Sequence, residues 1–198
     1  MNQIFRNFRD RSPHLDLAKL FWKRQLVSGN TAIDATCGNG NDTLFLAKLP
    51  ISALFALDIQ PAAIEKTREL LAGHLNEEEL KRVALCHMSH EDLRKVPCSI
   101  PPSLIVYNLG YLPGGDKSLT TKTESTLESI GSALSILGDA GAISITCYPG
   151  HAEGEKEENE ILRMAESLPS NLWEVRHHRW MNRTRSPSLL WIARLPNS

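Results

Sequence analysis

This sequence has few cysteines and almost no excess of charge of either sign. Its four cysteines, Cys37, Cys86, Cys98 and Cys147, include no C-x-x-C pair. This excludes the common zinc and disulfide patterns and favours a reducing cytoplasm, so we expect no metal. The formal net charge of -1 excludes nucleic-acid binding by bulk positive charge, and an RNA contact would need a local basic patch.

Long apolar runs are also missing. No segment approaches the ~20 apolar residues of a membrane-spanning helix, and Met1 to Arg11 lacks the apolar core of a signal peptide. The chain has 198 residues, 41% of them hydrophobic, which is enough for one sizeable core. We expect a single cytoplasmic domain over residues 1–198, including an N-terminal helical segment over 1–30, with no membrane contact.

Strand-like and helix-like apolar stretches alternate along the chain, which predicts a mostly parallel sheet with helices on both faces. The last two strands are separated only by the turn-rich stretch Asn182 to Ser188, which predicts a C-terminal antiparallel hairpin. The seven predicted strands are Thr31–Thr36, Ser52–Leu57, Val83–His87, Ser103–Tyr107, Gly141–Cys147, Trp173–His178 and Leu189–Leu195. The predicted helices are Leu15–Val27, Asp42–Leu49, one from Pro61 through Leu71, Thr126–Leu137 and one that begins in the acidic run Glu153–Glu160.

A glycine-rich loop, Asp34 to Asp42, follows the first predicted strand. Gly38 and Gly40 permit positive φ and remove the Cβ atoms that would hold a ligand away from the main chain. A dinucleotide fingerprint would have a third glycine where Thr43 stands. The loop's carboxylate and carboxamides suit the amino-acid end of S-adenosylmethionine better than a diphosphate. An ordinary strand-to-helix turn and a nicotinamide oxidoreductase remain the alternatives.

Side chains after the next two strands extend this candidate cofactor site. Asp58 closes the second strand eighteen residues after Gly40. In nucleotide-binding βαβ units a carboxylate ~20 residues on accepts hydrogen bonds from both ribose hydroxyls. Gln60 lies beside Asp58. Ser89 and His90 follow the third strand and are placed by topology to border an adenine ring. The alternative for His90 is an ordinary surface histidine.

The loop Asn108 to Lys117 follows the fourth strand, at the sheet edge where α/β folds bind ligands. It resembles the Asn/Asp-Pro-Pro-Tyr loop of amino-group methyltransferases, with leucine and glycine in place of the prolines. That resemblance implies that the Asn108 oxygen and the Gly110 carbonyl hold the attacking nitrogen while Tyr111 stacks on the base. A structural turn at the following glycine pair is the alternative.

Five segments together closely resemble the MnmM-type (YtqB-like) class I methyltransferases. They are Asp34–Asp42, Asp58–Gln60, Ser89–Glu91, Asn108–Lys117 and Tyr148–His151. Members of that family methylate the amine of 5-aminomethyl-2-thiouridine at the tRNA wobble position. The resemblance implies a Rossmann-like fold, S-adenosyl-L-methionine as cofactor and the anticodon region of tRNA as partner. Methylation of rRNA or a small-molecule amine, and nucleotide binding without transfer, stay open.

The loops and the resemblance together give the candidate site residues. Catalytic roles are predicted for Asn108, Gly110 and Tyr111. Cofactor contacts are predicted for Asp34, Gly38, Asn39, Gly40, Asn41, Asp58, Gln60, Ser89 and His90. Substrate contacts are predicted for Tyr111, Lys117, Tyr148 and His151, with a plain Pro-Gly turn as the alternative for the last two. The candidate acceptors of the amine proton are Asn108, Tyr111 and His151.

A basic segment near the end of the chain, Arg176 to Arg185, contains four arginines together with Trp180. Its cations are suited to phosphates and its indole to a base, whereas the alternative is a solvated edge hairpin. Phe21, Trp22 and Trp180 are interpreted either as partly buried core residues or as the contact of a homodimer.

Overall fold

A seven-stranded sheet lies at the centre of the computed structural model, which describes residues 13–110 and 121–196. The strands are β1 (Thr31–Asp34), β2 (Ala53–Asp58), β3 (Val83–His87), β4 (Leu104–Asn108), β5 (Ala142–Cys147), β6 (Trp173–His178) and β7 (Ser188–Arg194). Their order is β3-β2-β1-β4-β5-β7-β6. The first five pair in parallel, and β7 pairs antiparallel with both β5 and β6. The predicted parallel sheet with a C-terminal hairpin is confirmed.

Helices cover both faces of the sheet, as the alternation of elements predicts. They are α1 (Pro13–Gln25), α2 (Asn41–Ala47), α3 (Pro61–His74), α4 (Glu77–Lys81), α5 (Thr123–Ile136) and α6 (Ala152–Glu166). A 3-10 helix covers His90–Lys95. One core cluster contains apolar residues of α1, α2 and α3, and the other contains those of α5, α6 and the 3-10 helix.

Neighbouring strand residues point into different cores because side chains alternate across a sheet. Ile33 of β1 and Ile105 of β4 pack in the cluster that contains α5 and α6. Their neighbours Ala32 and Leu104 pack in the cluster that contains α1, α2 and α3. All four are fully buried. Burial on both faces explains why these strands are almost continuously apolar in the sequence.

Helix α1 crosses the sheet and is fixed by polar contacts at its middle and both ends. The Trp22 indole Nε1 donates to the Ser144 hydroxyl over 2.9 Å in the interior. At the C-terminal end, the Gln25 amide donates to the Ala140 carbonyl at 2.8 Å. At the other end, His14 contacts Tyr148, which follows β5. The N-terminus of α1 therefore lies at the carboxyl edge of the sheet.

Two short elements were not predicted from the sequence, and both are stabilised by local caps. The Asn76 side chain accepts from the Glu79 N–H at the start of α4, and the Glu79 carboxylate accepts from the Asn76 N–H, which forms a complete capping box. Ser89 caps the 3-10 helix. Elements this short carry too few apolar positions to show a helical period.

Candidate active site

The carboxyl ends of the five parallel strands bring the candidate site residues to one edge of the sheet. Each strand contributes its last residue, the loop that follows it, or both. In the order β1 to β5, these segments are Asp34 to Gly40, Asp58 to Gln60, Ser89–His90, Asn108 to Gly110 and Tyr148 to His151. Ligands of open α/β sheets bind at this edge. Of the predicted site residues, Tyr111 and Lys117 lie outside the described part of the chain.

Asp58 holds the glycine loop against the end of β2. One carboxylate oxygen accepts from the Gly38 N–H at 3.0 Å, and the other accepts from the Gln60 N–H at 2.9 Å. An ionised carboxylate has about four acceptor positions, so two remain for a ligand. This arrangement keeps Asp58 in place and leaves it able to accept from two hydroxyl groups.

Asp34 is buried inside the glycine loop, with 1% of its surface exposed. Its carboxylate accepts from the Thr43 hydroxyl at 2.6 Å and from the Thr36 N–H at 3.2 Å. Burial first, and then the charge of Asp42, raise the pKa of Asp34 to about 7. The structure thus gives Asp34 a role in ordering the turn, and its cofactor contact stays a prediction.

Gly40 caps α2 with a left-handed φ of 82° and lies against α3. A Cβ atom there would stand 3.0 Å from both the Cα and the Oγ1 of Thr67. We expect Gly40→Ala to lower the free energy of unfolding by about 2–3 kcal/mol, from backbone strain and steric overlap together. Urea denaturation measures this change.

Gly73 provides the matched control for that substitution. It lies within α3, where a Cβ atom would meet nothing within 4 Å. We expect Gly73→Ala to stabilise the chain by up to ~1 kcal/mol, since alanine is the better helix former. Equal stability of the Gly40→Ala variant and the unsubstituted chain would contradict the conformational requirement at Gly40.

Ser89 and His90 border the far end of the edge. The Ser89 hydroxyl accepts from the Glu91 N–H at 3.2 Å and donates to the Glu91 carboxylate at 3.0 Å. His90 Nδ1 is buried and has no hydrogen-bond partner among residues 13–110 and 121–196. Burial lowers the pKa of His90, which favours the neutral ring.

These residues fit an adenosyl cofactor such as S-adenosylmethionine. The remaining acceptor positions of Asp58 suit two ribose hydroxyls, and the unpartnered Nδ1 of His90 suits a polar edge of a base. Asn39 lies half-buried in the turn before Gly40, and Asn41 is exposed at the first position of α2. The helix N-terminus presents its free amides to the same edge.

Asn108 ends β4 and is fixed by two hydrogen bonds. Its backbone N–H donates to the Thr36 hydroxyl at 2.8 Å, and its side-chain Nδ2 donates to the Asp42 carboxylate at 3.0 Å. A carboxylate only accepts hydrogen bonds, so this contact identifies the amide nitrogen and fixes the orientation of the Asn108 oxygen. Asp42 is 9% exposed and forms an ion pair with Lys19 of α1 at 3.6 Å.

Gly110 and Thr121 flank residues 111–120, which lie outside the described part of the chain, and they are hydrogen-bonded to each other. The Gly110 N–H donates to the Thr121 hydroxyl at 2.9 Å, and the Gly110 carbonyl accepts from the Thr121 N–H at 3.0 Å. The carbonyl keeps one acceptor position. Thr121 in turn donates to the buried carboxylate of Glu157 at 3.0 Å, which connects Gly110 and Thr121 to α6.

Tyr148 and His151 follow β5 and face the same edge. The Tyr148 hydroxyl and His14 Nε2 lie 3.3 Å apart. Burial, followed by the charge of Asp42, raises the pKa of Tyr148 to about 12, and a hydrogen bond with the Asn108 side chain opposes this rise in part. The phenol therefore stays protonated at neutral pH. His151 Nδ1 accepts from the Gly154 N–H at 3.1 Å and caps α6.

Sequence reasoning missed the contribution of α1 to this site. His14 contacts Tyr148, 134 residues further along the chain, and Lys19 of the same helix pairs with Asp42. Nothing in the periodicity of α1 signals either contact. Asp42 itself was recognised only as part of the glycine loop. The one available signal for Asp42 is its position in the first turn of α2, where acidic residues are favoured by the helix dipole.

The described part of the chain lacks two other kinds of feature, a metal-binding cluster and a membrane-spanning helix. Residues 13–110 and 121–196 contain no group of three or more His, Cys, Asp or Glu side chains that could hold a metal ion. Within the same ranges, none of the helices has the length and apolar character needed to cross a membrane.

The chain is similar to known methyltransferases in both sequence and fold. A family model described as "Putative rRNA methylase" matches residues 54–194. The chain is 34% identical over 195 residues to a chloroplastic "tRNA (mnm(5)s(2)U34)-methyltransferase" of Arabidopsis thaliana, covering 94% of this chain and 71% of that protein.

Two crystal structures show the same architecture. One is of a protein from Clostridium thermocellum described as "putative rRNA-methylase", with 31% identity, a TM-score of 0.86 and coverage of 92% of this chain and 97% of the other. The second is of a "putative methyltransferase" from Streptococcus mutans in complex with SAH, with 32% identity, a TM-score of 0.82 and coverage of 92% and 98%. By its fold, its carboxyl-edge site and these matches, the chain belongs to the family described as "Putative rRNA methylase", the MnmM-type class I methyltransferases.

Proposed function

We propose that this chain is a tRNA methyltransferase that uses S-adenosyl-L-methionine to convert 5-aminomethyl-2-thiouridine at the wobble position into 5-methylaminomethyl-2-thiouridine. The structural observation that carries transfer to an amine is the fixed orientation of Asn108, whose amide nitrogen is held by Asp42. The Arabidopsis relative is named for this nucleoside position, and the Streptococcus mutans structure contains SAH. The first supports the acceptor, and the second supports the methyl donor.

The chain's own residues then have distinct parts in the reaction. The cofactor, when bound, supplies the activated methyl group. Asp58 is proposed to hold the ribose, and Asn39, Asn41, Gln60, Ser89 and His90 are proposed to surround the rest of the cofactor. The amine must enter with a free lone pair and its hydrogens need acceptors. The Asn108 oxygen is one, and the remaining acceptor position of the Gly110 carbonyl is the proposed second.

Tyr148 and Lys19 prepare the environment of that amine. The protonated phenol of Tyr148 is a hydrogen-bond donor and aromatic wall rather than a base. The Lys19 ammonium partly compensates the charge of Asp42. The group proposed to meet the incoming amine is therefore the neutral amide oxygen of Asn108 and not an uncompensated carboxylate. A bare carboxylate would favour the protonated, unreactive amine.

Location, domain organisation and assembly complete the proposal. The four cysteines Cys37, Cys86, Cys98 and Cys147 are all unpaired, which supports a cytoplasmic enzyme. We treat residues 1–198 as one domain and the anticodon region as the part of tRNA that reaches the site. The homodimer stays a prediction. Of the three aromatic residues that could form its contact, Trp22 is only 2% exposed and Phe21 packs against Trp191 and His178. Trp180 is the exposed one.

Methylation of rRNA is the second candidate, because the description of the matching family names it. A transfer assay with the chain, labelled S-adenosylmethionine and either tRNA or rRNA separates the two. We expect label in tRNA that carries 5-aminomethyl-2-thiouridine and none in rRNA or in tRNA that lacks this nucleoside. Label confined to rRNA would overturn the proposed substrate.

A further inference from the structure

The β6–β7 loop, residues 179–187, contains three arginines and no carboxylate. Residues 179–185 are all exposed, including Trp180 at 40% and Met181 at 86%. The Arg183 guanidinium lies 5.3 Å from the centre of the Trp180 ring. Exposed cations beside an exposed aromatic ring are suited to the two parts of a polynucleotide, its phosphates and its bases.

Strand pairing places this loop beside the active site. His178 at the end of β6 pairs with Leu189 of β7, and Ser188 pairs with Cys147, the last residue of β5. The loop therefore leaves the sheet at its carboxyl edge, where Tyr148 also begins. The Arg185 guanidinium lies 4.0 Å from the Glu155 carboxylate in the first turn of α6, which ties the loop to the helix capped by His151.

Two of the three arginines have no carboxylate partner. Arg185 pairs with Glu155, whereas Arg179 and Arg183 form no ion pair within residues 13–110 and 121–196. On the neighbouring edge strand, by contrast, Arg176 is paired with Glu174 at 2.7 Å. Cations that protect a sheet edge lie along the edge strand. The unpaired charge is instead concentrated beyond the strand, on the side of the site.

We propose that the β6–β7 loop is the surface that holds the substrate RNA next to the active site, with Arg179 and Arg183 on its phosphates and Trp180 against a base. This inference rests on the proposed function and names the part of the chain that recognises the polynucleotide. A second copy of the chain is a poorer occupant, because a two-fold contact through this loop would bring like charges together.

The test compares two double variants of the full chain. The first, Arg179→Ala with Arg183→Ala, removes the unpaired cations of the loop. The matched control, Lys66→Ala with Arg68→Ala, removes the same charge from exposed positions of α3. For each protein we measure tRNA binding by fluorescence anisotropy without cofactor at several salt concentrations, and then methyl transfer to tRNA.

We expect the loop variant to raise the Kd and KM for tRNA by ~10-fold or more. Its kcat and its S-adenosylhomocysteine affinity should stay close to those of the unsubstituted chain. The slope of log Kd against the logarithm of the salt concentration should fall by ~0.7–0.9 for each phosphate contact removed. Trp180→Ala should weaken tRNA binding without changing the salt dependence.

Two results would overturn the inference. One is tRNA binding by the loop variant that is no weaker than that of the α3 control. The other is a change from dimer to monomer in sedimentation with unchanged tRNA affinity, which would make the loop a protein contact. Failure of the proposed function gives a different result. The unsubstituted chain would then transfer no methyl group to tRNA, whether or not the loop variant binds tRNA more weakly than the α3 control.

Discussion

Replacing Asp58 with alanine should weaken the binding of S-adenosylhomocysteine by ~100-fold or more, with loss of most transfer activity at ordinary cofactor concentrations. The expected loss is large because the carboxylate has two functions. It accepts the Gly38 and Gln60 N–H groups that shape the loop around the cofactor, and its remaining positions are predicted to accept the ribose hydroxyls. Isothermal titration calorimetry gives the affinity directly.

Asp92 provides a control for the loss of a carboxylate near the same edge. It lies in the 3-10 helix and forms a surface ion pair with Lys95 at 2.7 Å. We expect Asp92→Ala to leave the affinity for S-adenosylhomocysteine within ~2-fold, since an exposed ion pair contributes little. The Asp58→Asn variant keeps the shape of the side chain, so its affinity for S-adenosylhomocysteine should fall between those of the Asp58→Ala and Asp92→Ala variants. An Asp58→Ala variant that is folded and binds normally would contradict the ribose assignment.

Replacing Asn108 with alanine should lower kcat by ~100- to 1,000-fold, a barrier increase of about 2.7–4 kcal/mol. The backbone bond from Asn108 to Thr36 survives this change, so the strand end should keep its position. What is lost is an oriented oxygen for the attacking amine. The affinity for S-adenosylhomocysteine should therefore change by less than ~3-fold, which separates Asn108 from Asp58.

Asn76→Ala is the control for removing an asparagine from the chain. Asn76 caps the surface helix α4 through its bond to Glu79, so the substitution should cost ~1 kcal/mol of stability and leave kcat unchanged. Single-turnover rates at saturating cofactor measure the chemical step in both variants. Equal loss of cofactor binding in the Asp58→Ala and Asn108→Ala variants would contradict the division of roles between them.

The sheet could be predicted from the sequence because its signals are local. A strand buried on both faces is continuously apolar, and the boundaries of β3 and β6 match the predicted ones. Other strand ends differ by one or two residues, because strand pairing rather than apolar character decides them. β2 and β4 end on the polar residues Asp58 and Asn108, whereas β1 ends at Asp34 although Ala35 is also buried. Because the carboxyl ends of parallel strands share one edge of the sheet, the sequence also predicts that Asp58, His90 and Asn108 lie at that edge.

The contacts that orient these residues could not be predicted, because they join distant parts of the chain. Asn108 and Asp42 are 66 residues apart, and His14 and Tyr148 are 134 apart. No periodicity encodes such pairs. The capping box of α4 differs, since Asn76 and Glu79 stand in the sequence at the spacing that defines it. A local signal of this kind can be read from the sequence alone.

The acceptor nucleoside is the central claim, and mass spectrometry of tRNA nucleosides tests it most directly. The chain is incubated with S-adenosylmethionine and tRNA that carries 5-aminomethyl-2-thiouridine, and the nucleosides are then separated and identified. The proposed function predicts loss of this nucleoside and equal gain of 5-methylaminomethyl-2-thiouridine, with no conversion by the Asn108→Ala variant on the same timescale. Unchanged 5-aminomethyl-2-thiouridine in the presence of bound cofactor would contradict it.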